Sequence, residues 1–315
     1  MPSDLAAVRR ATLIGGTAVL MWATLALLAT WAQAIPPFQL TGMAFAIAFV
    51  IGLVWMQVQG RSPLAAARRP PAVWLLGVGG LFGYHLVFFV ALRLAPPVEA
   101  NLINYAWPLL IVLFSALLPG ERLRWWHVAG AALGLCGVAV LIGGRGGSVA
   151  FDPRYIMGYG AAVLSAAIWA GYSVLSRRVG TVPTETVGWF CGATALLSLL
   201  CHAALEQTVV PDAAGWAAVV ALGLGPVGLA FFVWDHGVKR GDIRALGAFA
   251  YAAPLLSTLL LIAFGQGALT AAVGAACLLI IGGAILAGRD LWTRRPAGAR
   301  PPVSPVPDAS RAPPG

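Results

Sequence analysis

Apolar residues run along this chain in ten long blocks, separated by short polar or Gly/Pro-rich stretches. The blocks fall at 11–31, 36–58, 73–94, 97–118, 125–143, 155–178, 184–204, 214–236, 243–265 and 268–288. An α-helix rises about 1.5 Å per residue and needs about 20 apolar residues to cross a hydrocarbon core, so the pattern predicts ten transmembrane helices. Strands of about ten residues with alternating polarity, the signature of a membrane barrel, do not occur. The expected fold is an all-α membrane bundle with short connections.

The blocks repeat. Tyr-Ala-x-Pro-Leu-Leu occurs as Tyr105–Leu110 and again as Tyr251–Leu256, 146 residues further on. Its Tyr and Pro carry the weight of the match, because the chain has only 6 Tyr and 22 Pro. Val128–Ala132 resembles Ala272–Ala276, and Phe88–Val90 resembles Phe231–Val233, in the same order along the chain. This divides the protein into a first repeat at 1–145, an external linker at 146–154, a second repeat at 155–292 and a Pro/Ala/Arg-rich tail at 293–315, expected to be disordered and cytoplasmic. Five spans per repeat is an odd number, so the second copy must enter the membrane from the opposite side. Two inverted five-helix repeats around a central cavity are the geometry of alternating-access transporters, whose site lies near mid-membrane.

Composition narrows the class further. With 60% hydrophobic and 10% charged residues, the chain is no soluble domain. Its net charge of +9 is spread over loops and termini, which argues against nucleic acid and for a topology signal. With the N-terminus inside, 17 of the 20 Lys and Arg fall on inside segments and only Arg93, Arg145 and Arg154 outside, so both termini are expected on the cytoplasmic side. Ala32-Gln33-Ala34 resembles a signal-peptidase site, but the run before it is longer than such a peptide needs and its loss would break the repeat, so it is kept as the first span. The four Cys lie in apolar runs without Cys-x-x-Cys spacing and read as small buried hydrophobes, with no metal site. Gly143–Gly147 follows no strand, so no nucleotide or other cofactor is expected. The partners implied are the lipid bilayer and a small solute; the pattern leaves the oligomeric state open and is compatible with a monomer.

Candidate chemistry sits at mid-depth, where lipid offers no hydrogen-bond partner. The third span centres on Tyr84, His85 and Phe88. In the fourth, Asn101, Asn104, Tyr105 and Pro108 follow three- and four-residue spacing and form one expected stripe, with Trp107 at its edge. Trp22 and Trp169 are also central. Trp31, Trp55, Trp74, Trp125, Trp126, Trp216 and Trp292 lie near span ends and read as interfacial belt residues. Pro108 and Pro254, matched between the halves, are either passive kinks that leave a carbonyl unpaired or gates that let half of each helix move. No acidic residue is central, so no proton relay is evident and facilitated diffusion is the simplest energetics; Glu99 and His85 are the candidates for any coupling. The single Lys, Lys239, is placed in a loop and no Arg is central, which disfavours phosphorylated substrates. An aromatic pocket with Asn and His suits small zwitterions with apolar side chains, or flat cations held over rings. An enzyme would need a nucleophile with its base, or paired carboxylates, at depth, and neither is present.

The fourth- and ninth-span motifs, with the ten-span pattern, resemble the drug/metabolite transporter superfamily of the EamA type. Gly83-Tyr84-His85, Asn101–Leu110 and Trp169 are most similar to its aromatic amino acid exporters. The resemblance covers about residues 10–290 and implies a basket of ten helices, efflux of aromatic and a broader set of amino acids, and a cavity containing Tyr84, His85, Tyr105, Trp107 and Trp169. It also implies a tyrosine where this chain has Phe88. Export of drugs or flat organic cations is the alternative reading.

Overall fold

The computed structural model describes residues 2–120, 122–144, 151–265 and 268–290. All regular structure among these residues is helical. Among the described residues nine helical segments are long and apolar enough to cross a membrane: α1 (Leu5–Trp31), α2 (Pro37–Val58), α3 (Pro71–Leu94), α4 (Pro97–Ser115), α5 (Trp125–Gly143), α6 (Pro153–Arg178), α7 (Thr186–Leu205), α8 (Ala213–Arg240) and α9 (Ile243–Ala263). The last apolar block forms a shorter helix, α10 (Ala271–Ala287), of 17 residues. The expected tail at 293–315 and most of the expected linker lie outside the described residues.

Local chemistry sets where these helices start. Three Pro-Pro pairs open α2, α3 and α4: the first proline of each is extended, with ψ of 145°, 148° and 135°, and the second occupies the first helical position, where no N–H is needed. Asp212, Asp242 and Thr270 cap α8, α9 and α10 by accepting from Gly215 N (2.7 Å), Arg244 N (3.0 Å) and Val273 N (3.3 Å).

Packing pairs helices across the two halves of the chain: α1 with the second part of α8, α3 with α6, α2 with α7, and α5 with α10. Glycines face each other at three of these contacts. A methyl group added to Gly15 would stand 2.7 Å from the Gly237 Cα, one on Gly52 2.8 Å from the Gly188 Cα, and one on Gly130 2.5 Å from the Gly283 carbonyl. The small residues therefore bring backbones together, as membrane bundles require in the absence of a hydrophobic drive between helices.

Among the described residues five of the helices are interrupted: α1 between Trp22 and Leu25, and four others in matching places. π-turns occupy Gly79–Gly83 in α3 and Gly225–Leu229 in α8, 146 residues apart. α4 breaks between Asn104 and Trp107, and α9 between Phe249 and Ala252. Pro108 and Pro254 thus fall in the first turn of a restarted half-helix, where a missing donor costs little, and not in mid-helix as the sequence suggested. The register of the π-turns pairs His85 with Phe231 and Phe88 with Trp234. The Phe88–Val90 and Phe231–Val233 likeness, separated by 143 residues, is three short of that register. It reflects composition in an apolar chain.

Candidate aromatic substrate site

Below its π-turn, α3 presents Tyr84, His85 and Phe88 to the middle of the bundle, all half-buried. His85 Nδ1 lies 2.7 Å from the carbonyl of Leu81 within the turn. A carbonyl can only accept, so Nδ1 carries the proton and a neutral ring offers Nε2 as an acceptor. The Tyr84 ring stacks on Phe88 (5.9 Å, 8°) and meets Trp169 of α6 at 5.6 Å. Trp169 in turn touches Trp107, at 6.2 Å and 89°, and both touch Trp22 at 5.9 Å. These rings prefer edge-to-face contact because their positive edges meet negative faces.

Two further rings complete the cluster from α8. Trp234 lies 5.0 Å from Trp22 and stacks on Trp169 at 6.4 Å, and Phe231 stacks on Phe45 of α2 at 5.5 Å. Sequence reasoning missed Trp234 because it is only six residues from the end of α8, next to a charged residue. Its equivalence to Phe88 across the π-turns was the available signal. Of the tryptophans near span ends, Trp55 and Trp74 are half-buried and pack on Phe232 (5.5 Å) and Phe190 (5.8 Å), whereas Trp31, Trp125 and Trp216 are exposed. Trp292 lies outside the described residues.

The fourth helix does not present one polar stripe. Its break at Tyr105 and Ala106 ends the helical period, so the residues on either side turn to different neighbours. Asn101 is exposed. Asn104 is buried against α6: its Nδ2 donates to the Tyr84 hydroxyl (3.1 Å) and its Oδ1 accepts from Ser165 Oγ (2.9 Å). Tyr105 is half-buried and packs against a second apolar cluster that holds Val112, Tyr251 and Leu255. Trp107 returns to the cluster, 7% exposed, beside Trp169 at 4%. The expected central cavity is therefore filled by rings in this conformation. Two crevices lie off the cluster, one of about 290 Å³ lined by Leu20, Ala23, Leu256, Leu259 and Leu260, the other beside Arg177 and Arg178.

Polar commitments distinguish the four tryptophans. Trp22 Nε1 donates to the Pro226 carbonyl in the π-turn of α8 (3.1 Å), and Trp234 Nε1 donates to Ser173 Oγ (3.1 Å). The indole N–H groups of Trp107 and Trp169 make no hydrogen bond among the described residues, yet neither is sealed away as an orphaned buried donor. Trp107 and Trp169 thus carry two free donors within the ring cluster.

Where the N-terminus of α1 meets the end of α8, charged groups close the bundle. Lys239, expected in a loop, sits 5% exposed in the last turn of α8, 2.8 Å from Asp235 Oδ1. Four-residue spacing brings the two together, and the pairing extends α8 four residues past the expected boundary. Thr184 donates to Asp235 Oδ2 at 2.8 Å, Lys239 donates to the Val182 carbonyl at 3.0 Å, and Arg177 donates to the carbonyls of Val238 and Gly241. Arg61 pairs with Glu185 across the same end. Glu99, in the first turn of α4, is buried with one carboxylate oxygen unpartnered. Among the described residues no three His, Cys, Asp or Glu side chains gather as a metal site would require.

A bundle of apolar helices with paired interruptions and a central aromatic cluster defines a membrane transporter. The sequence profile of the EamA-like transporter family matches residues 10–143 and again residues 156–289, and the chain belongs to that family. It is similar to the "Aromatic amino acid exporter YddG" of Ancylobacter novellus, 56% identical over 88% of this chain and 96% of that protein. The protein of the same name from Escherichia coli is 28% identical over 91% of this chain and 99% of its own length. A crystal structure with 55% identity superposes with a TM-score of 0.86, covering 89% of this chain and 96% of that one.

Proposed function

We propose that this protein exports amino acids, aromatic ones included, across the bacterial inner membrane. One observation carries the reading: Trp107 and Trp169, whose indole N–H groups are uncommitted, touch each other in the central ring cluster, and Trp169 also meets Tyr84, the neighbour of His85. They supply donors for a substrate carboxylate, His85 Nε2 supplies an acceptor for its ammonium group, and the surrounding rings take an aromatic side chain. The similarity to exporters of that substrate class supports the same reading. Flat organic cations suit the site less well, because Asp235, the carboxylate adjoining Trp234, is already neutralised by Lys239.

The transport cycle follows from the fold. Counted with α10, ten spans form two inverted repeats: exchanging α1–α5 for α6–α10 turns the α1–α8 contact into the α6–α3 contact and leaves α2–α7 and α5–α10 unchanged. α10 has 17 residues, a rise of about 26 Å and enough to cross a slightly thinned core. Arg61, Arg177, Arg178, Lys239 and Arg244 gather at the end holding the N-terminus, against Arg93 and Arg154 at the other, which supports a cytoplasmic place for that end. Transport then proceeds by rocking the two repeats about the ring cluster, with Pro108 and Pro254 at the gates and the substrate space forming as the rings part. The energetics are facilitative.

Counterflow of labelled phenylalanine in liposomes tests the reading. Purified protein should accelerate exchange over empty liposomes, and Trp107→Phe or Trp169→Phe, which keep a ring but lose the N–H, should each raise KM about tenfold while leaving the melting temperature within a few degrees. Unchanged KM in both variants would remove the carboxylate role.

A further inference from the structure

The two copies of the Tyr-Ala-x-Pro-Leu-Leu motif touch each other. When α4 restarts at Trp107, its first N–H groups have no partner within the helix. The N–H of Leu109 donates to the hydroxyl of Tyr251, 3.1 Å away and 142 residues along the chain. Tyr251 is fully buried, and its ring occupies the space that Gly134 of α5 leaves by having no side chain. One turn earlier on α9, a methyl group on Gly247 would stand 3.1 Å from the Pro108 carbonyl. The break in α9 is thus fastened to the restart of α4 by a close backbone approach and a hydroxyl cap, two residues from Trp107.

We infer that the Tyr251 hydroxyl is a positioning residue for transport: it caps the broken helix of the other repeat, and through that cap the restart of α4 is held to the break in α9. A helix end capped from its own sequence can shift freely against its neighbours. This one cannot move relative to the α9 hinge without exposing a buried, unpaired N–H. The break in one repeat is therefore obliged to follow the break in the other, which is what rocking around a shared site requires. Tyr251 touches no part of the ring cluster itself, so its effect belongs on turnover and not on substrate affinity. The inference rests on the reading of the ring cluster as the substrate site.

The test is a double-mutant cycle on the intact protein in liposomes. Tyr251→Phe keeps the ring and removes the acceptor. Leu109→Pro removes the donor at the third helical position, with the melting temperature reporting any strain it puts on Pro108. Each should slow phenylalanine exchange about tenfold with KM within about twofold, and the double variant should be no slower than the slower single, because both delete one bond. Amide exchange read by mass spectrometry on the 107–112 segment should quicken about tenfold in Tyr251→Phe, with the exchange of α2 and α7 unaltered. Multiplying effects in the double variant, unchanged exchange at 107–112, or wild-type turnover in Tyr251→Phe would each overturn the inference. If Leu109→Pro fails to fold, the turnover and amide exchange of Tyr251→Phe decide alone. Failure of the substrate-site reading is seen separately, as unchanged KM in the Trp107 and Trp169 variants while Tyr251→Phe still slows transport.

Discussion

The α3–α4 pair and the α8–α9 pair carry the same interruptions and use them differently. Both have a π-turn, a broken partner helix and a Tyr-Ala-x-Pro-Leu-Leu segment at the break. In α3–α4 the groups around those interruptions are half-buried and polar: Tyr84, His85 and Tyr105, with Asn104 bridging α3 to α6. In α8–α9 the corresponding positions are apolar or closed: Phe231 stands in the register of His85, Ala250 in that of Asn104, and Tyr251 is fully buried where Tyr105 is not. Duplication supplied the bends twice. Side-chain chemistry then made one pair the place where a solute can be held and the other the frame that holds it, with Tyr251 reaching from frame to site.

This contrast can be broken by experiment, most severely through the frame. Lys239→Met leaves Asp235 buried without its partner, and removing one member of a buried ion pair costs about 3–5 kcal/mol. The melting temperature in detergent should fall steeply, and Asp235→Asn combined with Lys239→Met should recover most of it. A single variant as stable as the wild type would mean that α8 is not held by this pair. A smaller effect is expected at the site. Asn104→Leu keeps the branched shape but strips Tyr84 of its donor, for about 1–3 kcal/mol, while Ser165 keeps the Ala162 carbonyl (2.8 Å) as acceptor. Because it also frees the Tyr84 ring from Trp169, KM for phenylalanine should rise along with the loss of stability. Replacing Ala250 by Leu should alter stability alone; equal KM changes at the two positions would abolish the distinction between site and frame. Least disruptive is Phe88→Tyr, which adds a hydroxyl beside the stacked Tyr84 ring. Stability should change by less than about 1 kcal/mol, and transport of tyrosine relative to phenylalanine, measured by competition, should shift by less than about fivefold. No shift at all would place the para position of ring 88 away from the substrate.

Much of the site was visible before any helix was placed. Tyr84, His85, Phe88, Trp107 and Trp169 converge as expected, because a residue's depth in a membrane helix follows directly from its distance to the ends of an apolar run. Asn101 and Tyr105 do not join them, although they obey helical spacing from Asn104 and Pro108. Helical spacing assigns a face only while the helix is continuous, and α4 stops being so at Tyr105. The π-turns act in the same way: each adds a residue to one turn, about 100° of rotation, and so re-aims everything beyond it.

The sequence by itself determined what depends on local order: the length and number of apolar runs, the duplication, the aromatic middle and the family to which they belong. Apolar length and motif spacing are properties of a linear chain, and the bilayer reads them one helix at a time. The tertiary structure alone decided which way each helix is turned and what meets across the repeats. It joined Asn104 to Ser165, buried Lys239 on Asp235, brought Trp234 into the ring cluster and set the Tyr251 hydroxyl on the N–H of Leu109. All but the Lys239–Asp235 pair, which lies within α8, join residues on different helices, 61 to 212 positions apart. They rest on interruptions and close glycine contacts that leave no periodic trace in the chain.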